Sequence, residues 1–262
     1  MGITEDQARA FAEDGFLAPV RIADPALAQA YRRRWDELEA RETLRERDVT
    51  RLHSLHLDQE FVWEIASSDV LLDTLEHLLG PNVLLFGSRV FCKYGPDEKF
   101  VSWHQDVYPE TWGLEPPIAV TAWYAFDDCD EENGCMYMIP GSHRRGILEH
   151  RPSGRPGNLL RLDQEVEVAA EDAARAVPVT LRSGEVSLHD GATLHYSGPN
   201  RSTRRRSGIA LRYVPTHVRQ RPGRSSQPRS SAILVRGVDE DRHFGDHPWP
   251  FPRRDSGVAG RS

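Results

Sequence analysis

The sequence predicts an α+β fold in which N-terminal helices buttress an antiparallel β-sandwich. Two observations carry this expectation. Three segments with helical apolar spacing and capping residues precede Gly80, and from there to about Val214 short β-rich stretches alternate with Gly, Pro and Asn. At 262 residues and 39% hydrophobic content the chain can bury one sizeable core. One domain over 1–262 is therefore expected, with 1–80 as helical support, 81–216 as the β core and 217–262 as a partly ordered tail.

The first helix starts at Thr4, which forms a capping-box pattern with Gln7, carries Ala8, Phe11 and Ala12 at helical spacing, and stops at Asp14-Gly15. The second begins at Asp24-Pro25, because proline fits the first helical position, where no amide donor is needed. Its apolar face is expected to be Leu27, Tyr31, Trp35 and Leu38. The third runs from about Ser68 to Leu79 with Leu71, Leu72, Leu75 and Leu78 inward and Gly80 as cap. Strands are expected at 82–93, 118–126, 135–139, 177–181, 185–189 and 207–214. Residues 144–176, rich in charge, Gly and Pro, read as an insertion between strands that can form a lid. Beyond His217 the chain is polar to Ser231, apolar at 232–235 and then carries Pro248-Trp249-Pro250. Part of this tail is expected to fold back and its last residues to be disordered.

The formal net charge is -7 and the 33 basic residues are spread along the chain, so no nucleic-acid partner is expected. Three cysteines without paired spacing, Cys92, Cys129 and Cys135, predict buried free thiols and a cytoplasmic location. No apolar run approaches the ~20 residues that span a bilayer, and the acidic start lacks an export signal, so no membrane partner is expected. Nothing in the pattern specifies an oligomeric state.

The chemistry is concentrated in Trp103-His104-Gln105-Asp106. On extended backbone, residues two apart share a face, so His104 and Asp106 can meet one ion. A distant histidine would complete a two-His, one-carboxylate set that leaves positions open on Fe(II); His195 is the candidate, with His189 as its competitor. A second H-x-D, His56-Leu57-Asp58, precedes the third helix and reads as a surface or packing histidine, as do the remaining histidines.

Four blocks, in order, resemble the phytanoyl-CoA dioxygenase family of Fe(II)/2-oxoglutarate oxygenases. They are Trp103-His104-Gln105-Asp106, Ala122-Trp123-Tyr124-Ala125-Phe126-Asp127-Asp128 with Glu132-Asn133-Gly134-Cys135, Ile139-Pro140-Gly141-Ser142-His143, and His195-Tyr196-Ser197-Gly198-Pro199-Asn200-Arg201-Ser202 followed by Arg206. The resemblance implies a double-stranded β-helix (jelly-roll, cupin-like) core with His104, Asp106 and His195 on iron. It further implies 2-oxoglutarate as co-substrate with its far carboxylate on Arg206, assisted by Ser197 and packed by Trp123. Dioxygen is the oxidant and ascorbate the expected reductant. Arg204 and Arg205 read as solvated loop charges, and His143 as part of a structural turn. Halogenating relatives carry Ala or Gly at the carboxylate position, so Asp106 implies a hydroxylase. The implied substrate is a small molecule, an amino acid or a secondary metabolite.

Tyr108 and Trp112, just after the motif, are candidates for the pocket mouth, with packing as the alternative. Arg212 shares strand parity with Arg206 and is a candidate for an acidic group, with an ion pair as the alternative. Two other function classes fit parts of the pattern: a cupin-like metalloenzyme that ignores 2-oxoglutarate, and a non-catalytic jelly-roll binding protein.

Overall fold

The computed structural model describes residues 2–42, 52–221 and 232–252. The helices begin where the caps require. Thr4 accepts from the Gln7 amide and Gln7 answers onto the Thr4 amide, opening Glu5–Asp14 (α1), which Gly15 closes in the left-handed region at φ 83°. Phe16–Arg21 (β1) follows. Asp24 caps the amides of Ala26 and Leu27 to start Pro25–Arg41 (α2). Leu55–Asp58 (α3), Glu60–Ala66 (α4) and Asp69–Leu79 (α5) complete the N-terminal helices.

Then come Val83–Lys93 (β2), Val101–His104 (β3), the short Pro109–Trp112 (α6), Leu114–Glu115 (β4), Val120–Ala125 (β5) and Met136–Met138 (β6). Arg151–Pro152 (β7), Gln164–Glu165 (β8) and Ala170–Ala173 (α7) lie within the expected insertion. Val177–Val179 (β9), Glu185–Asp190 (β10), His195–Ser197 (β11), Arg206–Pro215 (β12), Arg219–Gln220 (β13) and Ile233–Arg236 (β14) finish the chain.

Two main antiparallel sheets result, one in the order β1-β10-β5-β12-β2-β14 and one in the order β3-β11-β6-β9, with β13-β4 and β7-β8 as two separate two-stranded ribbons. This is the double-stranded β-helix, with helices banked on the larger sheet. Strand alternation sorts the side chains. Val120, Ala122 and Tyr124 of β5, with Ile209, Leu211 and Tyr213 of β12, join Trp35, Trp63 and Leu71 of the helices in one apolar cluster. Trp35 stacks on Phe126 with ring centroids 5.2 Å apart. The opposite parity, Thr121 and Trp123 on β5 and Arg206, Ala210 and Arg212 on β12, lines a cavity shared with the smaller sheet.

Two expectations change. Leu27 is 37% exposed and Ala28 takes the inward place on α2, so the apolar face is rotated by one residue at its first turn. The helical region contains β1, an edge strand whose Pro19 obscures the β pattern yet is tolerated where one side has no partner. The insertion at 144–176 is tied to the chain at β3: the Val166 amide donates to the Trp103 carbonyl (2.7 Å) and the Phe100 amide to that of Gly157 (3.0 Å). The tail does fold back, since β14 pairs with β2 and the Trp249 indole N–H donates to the Leu234 carbonyl at 2.7 Å. The expected disorder at the end falls on 253–262, outside the described residues. Among the described residues no helix is long and apolar enough to cross a membrane.

Candidate metal centre

Strand register makes the site. His195 of β11 stands directly opposite His104 of β3, and directly opposed residues share a face within contact distance; the two rings lie 4.1 Å apart between centroids. Asp106 follows where β3 has given way to a turn, held by the Val107 amide donating to the Gly191 carbonyl at 3.1 Å. Between them Gln105 points the other way. Its side-chain amide donates to the carbonyls of Gly146 (2.8 Å) and Ala192 (2.7 Å) and accepts from the Leu148 amide (2.7 Å), anchoring the turn.

The ligand atoms of His104, Asp106 and His195 all lie within 4.8 Å of one another, and all three residues are buried. Their protonation suits a cation. The Nδ1 of His104 is 2.9 Å from the Ser102 carbonyl and that of His195 is 3.0 Å from the Thr193 carbonyl. A carbonyl only accepts, so each Nδ1 carries the proton and each Nε2 presents a lone pair. Burial lowers both imidazole pKa values, most strongly that of His195, where His104 adds to the effect. Burial alone would raise the Asp106 carboxyl, but the His189 bond, His195 and Arg212 hold it well below the usual range. Thr121 donates to Asp106 Oδ2 at 2.6 Å and His189 Nε2 lies 3.2 Å from the same oxygen, leaving Oδ1 toward His104. His189, the competing ligand candidate, thus faces Asp106 and stands outside the three-residue cluster.

A cavity opens around these groups, lined also by Thr121, Trp123, Ser197 and Arg212. Arg206 enters it from β12, 1% exposed, with its Cζ 4.2 Å from the Trp123 ring centroid. Among the described residues it forms no ion pair. Its Nε has no partner, and the thiol it bonds, Cys129, is pushed up to about 12 by burial and so stays neutral. A buried, uncompensated guanidinium fork is the chemistry that receives a carboxylate.

Beside it is a group that the motif pattern does not reveal. Lys93 of β2 pairs in register with Arg206, is fully buried, and donates to Ser197 Oγ (2.7 Å) and to the Gly198 carbonyl. Burial, with Arg206 alongside, holds its ammonium far below the usual lysine range. Only a lysine in a strand that otherwise reads as buried hinted at this.

The arginine triplet separates cleanly. Arg204 pairs with Asp130 and Glu132 at the surface. Arg205 is not a solvated loop charge: it is largely buried against Asp36, Glu39 and Asp127, pinning α2 to the larger sheet. Only Arg206 faces the cavity. Of the substrate-side candidates, Arg212 lines the cavity, whereas Trp112 is 2% exposed in a core cluster and Tyr108 stacks on His150 outside the lining. His56 is a packing histidine bonded to Ser88, and Ser142 ties its turn to β11 through the Leu194 amide (2.9 Å). All three cysteines are buried and free.

The sequence model of the phytanoyl-CoA dioxygenase family matches residues 11–208. The chain belongs to this family. Among phytanoyl-CoA dioxygenase relatives it is similar to a probable alpha-ketoglutarate-dependent hypophosphite dioxygenase of Stutzerimonas stutzeri, 32% identical over 168 residues. That match covers 63% of this chain and 57% of the relative's length. The solved structure of the apo non-heme monooxygenase ThoJ superimposes with a TM-score of 0.72 at 29% identity, covering 89% of this chain and 85% of ThoJ. CytC3 with Fe(II) and alpha-ketoglutarate superimposes at 0.65 and 26% identity, covering 92% of each chain.

Proposed function

We propose that this protein is a non-haem Fe(II)- and 2-oxoglutarate-dependent dioxygenase, with residues 1–262 forming a single oxygenase domain, that hydroxylates a C–H bond of a small molecule and releases succinate and CO2. One observation carries the reading: the neutral-His, ionised-Asp cluster and a buried arginine with no ion pair among the described residues face the same cavity. His104, Asp106 and His195 would hold the iron. When bound, iron supplies dioxygen activation, with 2-oxoglutarate as the source of electrons.

The remaining residues bind, orient and exclude water. Arg206 receives the far carboxylate of 2-oxoglutarate, Ser197 and Lys93 stand beside it, and Trp123 holds the guanidinium plane. The buried walls keep the charged groups strong by excluding water. A carboxylate at position 106 supports hydroxylation over halogenation. The substrate class proposed is an amino acid or a secondary metabolite, placed beside the co-substrate in the same cavity. The similarity to a relative named for hypophosphite, a small substrate, points the same way. Free buried thiols suit a cytoplasmic protein.

The test is the visible charge-transfer band of the iron chelate. Anaerobic protein loaded with Fe(II) should develop it on addition of 2-oxoglutarate, and Arg206→Gln should need about 10–100-fold more, the equivalent of a lost charge-assisted bond. Absence of the band from iron-loaded wild type would sink the co-substrate assignment and favour a cupin-like metalloenzyme.

A further inference from the structure

We propose that the substrate is a small anion, a carboxylate or an oxyanion of similar size, held by Arg212; the inference rests on the dioxygenase reading above. β12 sends two guanidiniums into one cavity, at positions 206 and 212 of the same strand face. Their Cα atoms are separated by roughly 20 Å on extended backbone, so they serve its two ends. If Arg206 takes 2-oxoglutarate, Arg212 is left over.

Arg212 is 6% exposed. Among the described residues no acceptor lies within hydrogen-bond or ion-pair distance of it, and its buried Nε has no partner. Trp112 covers one side, with the Arg212 Cζ 4.9 Å from the ring centroid. This explains why Trp112 is a core residue: it holds the guanidinium flat, and a flat fork presents parallel N–H groups to a two-oxygen anion. Thr121 is its register partner on β5. Asp106 is near enough to act on Arg212 electrostatically. That carboxylate is otherwise engaged, since Thr121 and His189 approach Oδ2 and Oδ1 is turned toward His104.

The charge balance agrees. Leaving the histidines aside, the cavity holds one carboxylate against two guanidiniums. A divalent ion would add two positive charges and 2-oxoglutarate would remove two, so a positive surplus remains whatever the charge on Lys93. A desolvated cation without a counter-ion is unfavourable, and an anionic substrate supplies that counter-ion. Anchoring at Arg212 also keeps the substrate's anion from competing with 2-oxoglutarate for Arg206.

Formate and its neutral isostere formamide are the probes, because they fit any substrate site. Their binding is measured by saturation-transfer NMR on full-length protein loaded with Zn(II), which cannot turn over, and saturated with 2-oxoglutarate so that Arg206 is occupied. Formate should bind at least ~10-fold more tightly than formamide. Arg212→Gln should abolish that preference while 2-oxoglutarate affinity stays within about 2-fold, since the two sites are separate. Arg212→Lys, which keeps a cation without the fork, should retain part of the preference and serves if the Gln variant does not fold or loses metal. Equal binding of the two probes, no binding of formate, or a preference that survives in both variants would overturn the proposal and leave Arg212 as a counter-charge to Asp106. Failure of 2-oxoglutarate to bind wild type would instead count against the dioxygenase reading.

Discussion

Asp106 reaches its working position by being held on one side. The Thr121 hydroxyl at 2.6 Å fixes Oδ2 and with it the direction of Oδ1. Thr121→Val keeps the volume and removes that bond, so metal affinity should fall about 10–100-fold with the fold intact, read by competition with a chromogenic chelator. At this scale the H-x-D spacing and the Ser197 and Arg206 offsets from His195 were visible as pattern. Lys93 was not, because only the register of β2 against β12 brings it beside Arg206. Of the two roles open to Trp112, pocket mouth or packing, the structure shows packing behind Arg212, and no local pattern distinguishes an indole facing a cavity from one packed behind the residue that does.

At the scale of elements, the Trp123 ring, whose register partner on β12 is Ala210, reaches along the sheet to cover Gly208. A Cβ at position 208 would stand 2.2 Å from the Trp123 ring, a contact that cannot be relieved without moving the indole beneath Arg206. Gly208→Ala should therefore destabilise the fold by about 1–3 kcal/mol in urea unfolding and weaken 2-oxoglutarate binding in the same variant. The segment after β6 makes a second prediction. His150 Nε2 accepts the Gln105 amide at 3.0 Å while Nδ1 faces the Leu148 carbonyl at 3.0 Å, so the ring is neutral. Burial lowers its pKa to about 4. The unfolded chain takes up this proton near pH 6.5, so the contribution of His150 to stability is complete above that value and declines as pH falls toward 4. The urea midpoint of wild type should drop between pH 6.5 and 5, and His150→Gln, weaker at pH 7, should show a flatter profile. A parallel profile would remove His150 as the cause. Most strands and the capped helices were legible because alternation, caps and glycines act locally. The short β3 and β11 were not, since their four and three residues are defined by pairing.

For the whole molecule, the site joins the two sheets: His104 and His195 come from the smaller, while Arg206 and Arg212 come from the larger. A metal and co-substrate that bind only the folded state should stabilise it by about 2.7 kcal/mol at 100-fold excess over Kd, which is roughly 5–10 °C in Tm for a chain of this size. Calorimetry should show the gain disappear with a chelator and be missing in His195→Ala. An unchanged Tm in wild type would mean that the cluster holds no metal in the folded state.

Sequence alone determined the class of fold, the helix starts and the chemistry available, because apolar period, capping residues and donor type are properties of short stretches of chain. Tertiary structure decided which donors share a cavity. The opposition of His195 to His104, the turning of Oδ2 away from the cluster, the company of Lys93 and the unpaired state of Arg212 all depend on register between strands far apart in sequence. A strand's own sequence says which side chains share a face, but long-range pairing and burial decide what that face meets.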